Sequence, residues 1–223
     1  MPAELVKMTI ASLPLAGGDS MAEANHRISN NLAMVAGLVR MYGRRIDGTD
    51  EPLDNDAVRI LLEEIGSRIE TVGRLHGLLA RTQDGRSIDV GSYLRELSEA
   101  VVGSLTFAAK AKLSYTTHGA CLMAPERALS VGFIVVELIT NAVKYAHPAG
   151  SAGEIAVSCH NGDGRITVDV SDDGVGLPAG FDPRVGGGLG FRLMRSLAGQ
   201  VGATLAFKDT GTGLSVRVRA PLN

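Results

Sequence analysis

Cysteine is scarce in this chain: Cys121 and Cys159 are the only two. They lack the close pairing that a zinc or iron–sulfur site requires, so the expectation is two reduced thiols in strand-like contexts of a cytoplasmic protein. Charge of one sign is equally lacking. Acidic and basic residues are interspersed and the net charge is −2 over 223 residues, which speaks against nucleic acid or an anionic membrane as the main partner. No apolar run approaches the ~20 residues of a membrane span, and residues 1–20 lack the basic and apolar regions of an export signal. There is no internal repeat, and only the glycine-rich stretch at 186–190 approaches low complexity. What remains is a chain long enough for one large domain or two modest ones with a real core.

Two kinds of pattern divide that chain. From Ala22 to Tyr42, apolar residues fall at Ile28, Leu32, Val35, Val39 and Tyr42; from Pro52 to Ala80 the rhythm returns at Val58, Leu62, Ile65, Ile69, Val72, His76 and Leu79. Alternating steps of three and four put each set on one helical face. The link Gly43–Asp50 is turn-rich, Asp50 offers an N-cap, and Pro52 suits a first turn. An αα-hairpin of this kind cannot cover its own seam, so a homodimeric four-helix bundle is expected.

Past residue 86 the pattern changes. Ser92 is expected to cap a helix through Phe107, and Lys112–Thr117 alternates like a strand. Pro125 opens a long apolar helix to Ala146. Strands are expected at Glu154–His160 and Arg165–Ser171 around the turn Asn161-Gly-Asp-Gly164. A helix over Gly190–Val201 and strands over Thr204–Lys208 and Leu214–Arg219 complete an α+β sandwich with helices on one face of a mixed or antiparallel sheet. The domains are therefore an N-terminal segment 1–20, a helical hairpin 21–82, and an α+β unit 87–223.

Chemistry concentrates in three pieces of that unit. Glu137 and Asn141 are four residues apart on the long helix and share a face, with Lys144 a turn further on. An amide oxygen with water can complete the shell of Mg²⁺ as it bridges phosphates, and Glu137 can orient such a water or act as a base. Asp172 ends a strand, where it can accept a hydrogen bond from an exocyclic amine such as that of adenine. Gly174 and Gly176 allow a tight turn beneath a flat ring. The glycines at 186–190, among them Gly188 and Gly190, offer backbone amides to phosphate where a helix begins. Singly, each is an ordinary turn or a solvated helix side chain; in this order and on these elements they describe a nucleotide site.

Glu-x-x-x-Asn, Asp-x-Gly-x-Gly and Gly-x-Gly resemble the N-box and glycine boxes of the Bergerat-fold ATPases, the group holding histidine kinases, gyrase, Hsp90 and MutL. Gly211-Thr-Gly-Leu-Ser-Val216 resembles the last box, in which a Gly-Thr pair, here with Thr212, supports the pocket. The resemblance implies ATP under a lid formed by residues 177–186 (unusually short here), Mg²⁺ on Asn141, and adenine read by Asp172.

Upstream, Glu23-Ala-Asn-His26-Arg27-Ile-Ser-Asn30-Asn31-Leu32 resembles the phospho-acceptor motif of the HisKA type 2 and HWE-related histidine kinases. With it the resemblance runs from about residue 20 to the end. His26 lies beside the apolar seam, on a face of polar and small residues that includes Asn30 and Gly37. A neutral imidazole is a competent nucleophile for a γ-phosphoryl group; Arg27 can pair with phosphate, and Asn30 can orient the ring or a water. Arg27 stands where many histidine kinases place an acidic base, which leaves Glu23 as the nearby carboxylate.

The function implied is a histidine kinase of a two-component system that phosphorylates its own His26 from ATP. An Asp on the receiver domain of a response regulator would then take the phosphoryl group. Residues 1–20 are too few for a sensor domain, so input is expected from a separate protein or from a segment outside this sequence. Two other readings stay open: a histidine phosphotransfer protein with a vestigial ATPase-like domain, and a Bergerat-fold ATPase or serine kinase that does not use His26.

Overall fold

A computed structural model describes residues 36, 37, 39, 40, 43, 54–80, 87–105, 111–148 and 151–222. His26, Arg27, Asn30, the link 44–50 with its Asp50 cap, and Pro52 lie outside the described residues. Residues 36, 37, 39 and 40 are helical, as the first apolar rhythm predicts, and so is Gly43, which is expected to open the link. The second rhythm becomes α1 (Asn55–Ala80). Val58, Leu62 and Ile69 of its seam stand 39, 61 and 39% exposed, whereas Leu75 near its end is fully buried.

Leu75 enters the core of the α+β unit. It lies against α3 (Pro125–Asn141) at Gly132, where an added methyl would come within 2.9 Å of Leu75 Cδ2 and 2.5 Å of the Tyr93 hydroxyl. Tyr93 comes from α2 (Val90–Leu105), and its hydroxyl is buried with no hydrogen-bond partner among the described residues. The absence of a side chain at position 132 thus allows three helices to meet.

The cap of α2 is Asp89, not the expected Ser92. The Asp89 carboxylate accepts from the Ser92 amide at 3.3 Å and from the Ser92 hydroxyl at 2.7 Å, and its other oxygen accepts from the Cys121 amide at 3.1 Å. One carboxylate therefore starts the helix and ties it to the segment before β3. Strands β1 (Ile88–Asp89) and β3 (Leu122–Met123) pair antiparallel; at two residues each they have no periodicity to read.

The main sheet has five strands in the order β2-β4-β5-β7-β6: β2 (Ala111–His118), β4 (Gly153–Gly162), β5 (Arg165–Asp172), β7 (Leu214–Pro221) and β6 (Thr204–Asp209). β2 runs parallel to β4 and every other pair is antiparallel, so the sheet is mixed, within the two options expected. Alternating burial in β4 sends Ile155, Val157 and Cys159 into a core shared with α2, α3 and α4 (Leu189–Gln200). The β4–β5 turn has positive φ at both Asp163 (54°) and Gly164 (67°), the signature of a tight hairpin turn that matches strand twist.

Two expectations need correction. The helical stretch Pro125–Ala146 spans 22 residues and is long and apolar enough to cross a membrane, but most of it is buried inside the protein. It is the helix around which the core is built. Cys121 is not in a strand; it precedes β3, where its sulfur lies 3.6 Å from that of Cys159, both thiols being free and buried. Burial raises both thiols above their ordinary value, which keeps them protonated and inert.

Candidate functional site

The helix that carries Glu137 and Asn141 changes character where Asn141 ends. From Ala142 to Ala146 the backbone widens into a π turn. The Ala146 carbonyl accepts the Val175 amide at 2.9 Å, so the widened turn stitches the end of α3 to the acidic turn after β5. Gly174 packs directly on the Cα, Cβ and carbonyl of Ala146, leaving no room for a side chain. Glycine is required here by the protein's own backbone. Glu137 is buried at 5% exposure, Asn141 is half-buried, and Lys144 is exposed in the π turn.

Asp172 is held from two directions. Its Oδ1 accepts the Gly174 amide at 3.0 Å and the Leu214 amide at 3.2 Å. Gly213, at φ 140°, lies against the Asp172 carbonyl so closely that a Cβ would overlap it. The terminal box therefore supports the acidic turn through its backbone, while the Thr212 side chain is exposed. With Oδ1 committed to two amides, Oδ2 has no hydrogen-bond partner among the described residues and can accept from an exocyclic amine. Gly176 faces the carboxylate of Asp209, 3.1 Å from where its Cβ would be.

Gly188 is the N-cap of α4 and supplies no side-chain cap, so the amides of the first turn, including that of Gly190, are left for an anion. The short loop before it is anchored, not loose. Arg195 Nη1 donates to the carbonyls of Pro183 and Gly186, each at 2.8 Å. Phe181 meets the Phe191 ring edge-on at 5.3 Å, and Phe191 in turn meets Phe207 at 5.8 Å. Arg184 pairs with Asp182 at 2.8 Å and pulls that carboxyl down to about 2.

Sequence reasoning missed His147 and Asp173. His147 Nε2 lies 2.7 Å from Asp173 Oδ1, and Ser151 Oγ lies 3.2 Å from His147 Nδ1. Asp173 Oδ1 also accepts the Glu154 amide at 2.8 Å, and that bond first, then the histidine, holds its carboxyl below the ordinary value. A cavity of about 20 Å³ beside them is lined by Ala142, Ala146, His147, Ser151 and Asp172, among others. No local pattern links residues 26 positions apart; only the doubled acid at 172–173 hinted at a second role. A wider groove of about 420 Å³, lined by Arg95, Glu99 and Tyr115 among others, contains none of the residues of the three segments.

Among the described residues no group of three or more His, Cys, Asp or Glu could hold a metal ion. An Asn oxygen joined by phosphate and water is a donor set that suits Mg²⁺, which retains most of its waters, so the residues present fit that ion without a protein cage.

Helix, acidic turn and glycine-capped helix around a mixed sheet define a nucleotide-binding α+β sandwich. Comparison with known proteins places it more narrowly. Residues 23–105 match the family model described as histidine kinase, of HisKA type 2. Residues 127–223 match that of the histidine kinase-, DNA gyrase B- and HSP90-like ATPases. A blue-light-activated histidine kinase of Erythrobacter litoralis is 28% identical over 207 residues, covering 91% of this chain and 57% of the relative. The sensor histidine kinase PdtaS of Mycobacterium tuberculosis is 26% identical over 89% of this chain and 39% of its own length. A solved blue-light-activated kinase of Erythrobacter litoralis superposes with a TM-score of 0.71 at 25% identity, over 96% of this chain and 62% of that one. The chain belongs to the histidine kinases that join a HisKA type 2 segment to an ATPase domain of the gyrase B and Hsp90 kind. It spans between about two-fifths and three-fifths of the length of these relatives.

Proposed function

We propose that this chain is the kinase core of a two-component system: it binds Mg²⁺ and ATP, phosphorylates His26, and passes the phosphoryl group to an aspartate of a response-regulator receiver domain. The observation that carries the reading is the Asp172 carboxylate, fixed by two backbone amides through one oxygen and open through the other, in a chain whose upstream segment has the histidine-kinase pattern. One solved structural neighbour is a histidine kinase in complex with a response regulator, which makes a receiver domain the natural acceptor to test.

In this reading Asp172 accepts from the exocyclic amine of adenine, and the first-turn amides of α4 with Lys144 meet the phosphates. Asn141 supplies an oxygen to the metal, and Glu137 holds a water or takes a proton. Mg²⁺, when bound, neutralises charge on the phosphates. The neutral His26 imidazole forms a P–N bond as the P–O bond to ADP breaks, Arg27 pairs with the phosphoryl oxygens, and Asn30 orients the ring. The proton left on the imidazolium goes to solvent or to Glu23.

The domains are taken as 21–82 for dimerisation and phosphotransfer and 87–223 for ATP binding. A homodimeric four-helix bundle is supported by the exposed seam of α1, where Val58, Leu62 and Ile69 stay 39–61% exposed in the single chain. Input from a separate sensor protein and a cytoplasmic location belong to the same reading.

Incubation with γ-labelled ATP and Mg²⁺ tests it. Acid-labile label on the wild type, lost in both His26→Ala and Asn141→Ala, is the expected result. Acid-stable label, or ATP turnover indifferent to His26→Ala, overturns it.

A further inference from the structure

Two parts of the nucleotide site come from distant sequence and must be held in register: Asn141 at the end of α3, and Asp172 at the end of β5. The backbone bond from Val175 to Ala146 is one tie between them. The other is made of side chains. His147, the first residue past the π turn, reaches the residue after Asp172, with Nε2 2.7 Å from Asp173 Oδ1. A neutral ring protonated at Nε2 satisfies both of its contacts: Nε2–H donates to Asp173, and Nδ1 accepts from the Ser151 hydroxyl at 3.2 Å.

The fold makes room for that ring. Gly153 opens β4 directly beneath it, and a Cβ there would overlap Cδ2 and Nε2 of the imidazole. The next residue, Glu154, gives its amide to the same Asp173 oxygen at 2.8 Å. The imidazole is therefore seated on backbone, with its side chain only 21% exposed, and it borders the small cavity that Asp172 also lines.

From this geometry we infer that His147 is a positioning residue of the nucleotide site: by clamping the end of α3 to the Asp172–Asp173 turn, it lets one nucleotide be gripped through its base and through its metal at once. The inference rests on the nucleotide reading above. It assigns no chemical step to His147. Its consequence concerns the metal: ADP without Mg²⁺ is held chiefly by Asp172 and the first-turn amides of α4, with only Lys144 reaching it from the clamped segment, whereas Mg·ADP is held by Asn141 as well.

The test titrates the full chain and its variants with ADP, in Mg²⁺ and in EDTA, and records thermal midpoints without ligand. In His147→Ala the enhancement of ADP affinity by Mg²⁺ falls about five-fold or more, as expected for losing a partly exposed charge-assisted bond. Affinity in EDTA falls by less, because Lys144 is then the one contact contributed by the clamped segment. His147→Gln, which keeps a donor and an acceptor, recovers most of the loss. Ser151→Ala, on an exposed segment, gives a smaller loss of the same selectivity. Should His147→Ala fail to fold, these two variants decide by the same comparison. Equal losses with and without Mg²⁺, an unchanged Mg²⁺ enhancement, or a Gln variant no better than Ala overturns the inference. A wild type that binds no ADP under either condition overturns the nucleotide reading instead.

Discussion

Replacing Gly213 with alanine probes how the terminal box supports Asp172. Two separate penalties meet at this position. Its φ of 140° lies where L side chains are rarely found, a strain of about 1–3 kcal/mol. A Cβ there would also overlap the Asp172 carbonyl, and forcing such atoms apart costs about 1–3 kcal/mol more. The combined loss of about 2–6 kcal/mol corresponds to a fall in Tm of roughly 5–20 °C for a chain of this size. Two other glycines separate the contributions. Gly211 has φ 79° with open space around it, so Gly211→Ala carries strain alone, about 1–2 kcal/mol. Gly174 is not at positive φ but packs on the Ala146 backbone, so Gly174→Ala carries overpacking alone. Both Gly174→Ala and Gly213→Ala disturb the amides that hold Asp172 Oδ1, and each should weaken ADP binding about ten-fold or more; Gly211→Ala should leave it within about two-fold. Urea unfolding and ADP titration of the three variants give the comparison. If Gly213→Ala is no costlier than Gly211→Ala, or if ADP binding does not distinguish them, the close approach to Asp172 does not matter and the account of the site is wrong.

Three more expectations follow from the packing and charge. Leu75→Ala removes a fully buried side chain at the junction of α1, α2 and α3 and should cost about 2–5 kcal/mol in denaturant unfolding. Asp89→Ala removes the cap of α2 together with the bond to the Cys121 amide, with a loss of at least about 1 kcal/mol, whereas Ser92→Ala should cost less. The carboxyls of Asp173 and Asp182 lie below their ordinary value of 3.8 in the folded chain. Their contributions are therefore present above that value and vanish as pH falls through the folded values, for Asp182 toward about 2. Both groups are well exposed, so the effect is small, and a shallower acid limb of the unfolding midpoint in Asp182→Asn measures it.

The elements that can be read from sequence are those with long periodicity or strong punctuation. The apolar run after Pro125, the alternation in β2 and β4, and the Asp163-Gly164 turn all carry their own instructions. The three boxes are equally legible, because glycines and acids at fixed spacing have few other uses in combination. What escapes is contact between distant atoms. Asp89 outcompetes Ser92 as a cap because Cys121, across the small β1–β3 sheet, needs the same carboxylate. His147 looks idle until Asp173 is brought beside it from 26 residues away. The anchored loop depends on Arg195 meeting the carbonyls of Pro183 and Gly186, and an arginine on an amphipathic helix gives no sign of that duty. That the tight turn at Gly174 packs on the backbone of Ala146 is equally invisible in the sequence.

The notch at Gly132 has a mechanical consequence. Leu75 of α1 is seated on the same helix that ends at Asn141, nine residues further along, or about 14 Å at the rise of an α-helix. At its start that helix is pinned, because the Arg127 guanidinium holds the carbonyls of Val201 and Pro221 at 2.8 and 2.9 Å. The arrangement is a beam held at both ends, by Arg127 at its start and by the Ala146–Val175 and His147–Asp173 bonds just past Asn141, and loaded near its middle by α1. Any displacement of α1 must either lift Leu75 out of its notch or bow the beam between its two anchored ends, loading the bonds that hold the segment after Asn141 to the Asp172–Asp173 turn.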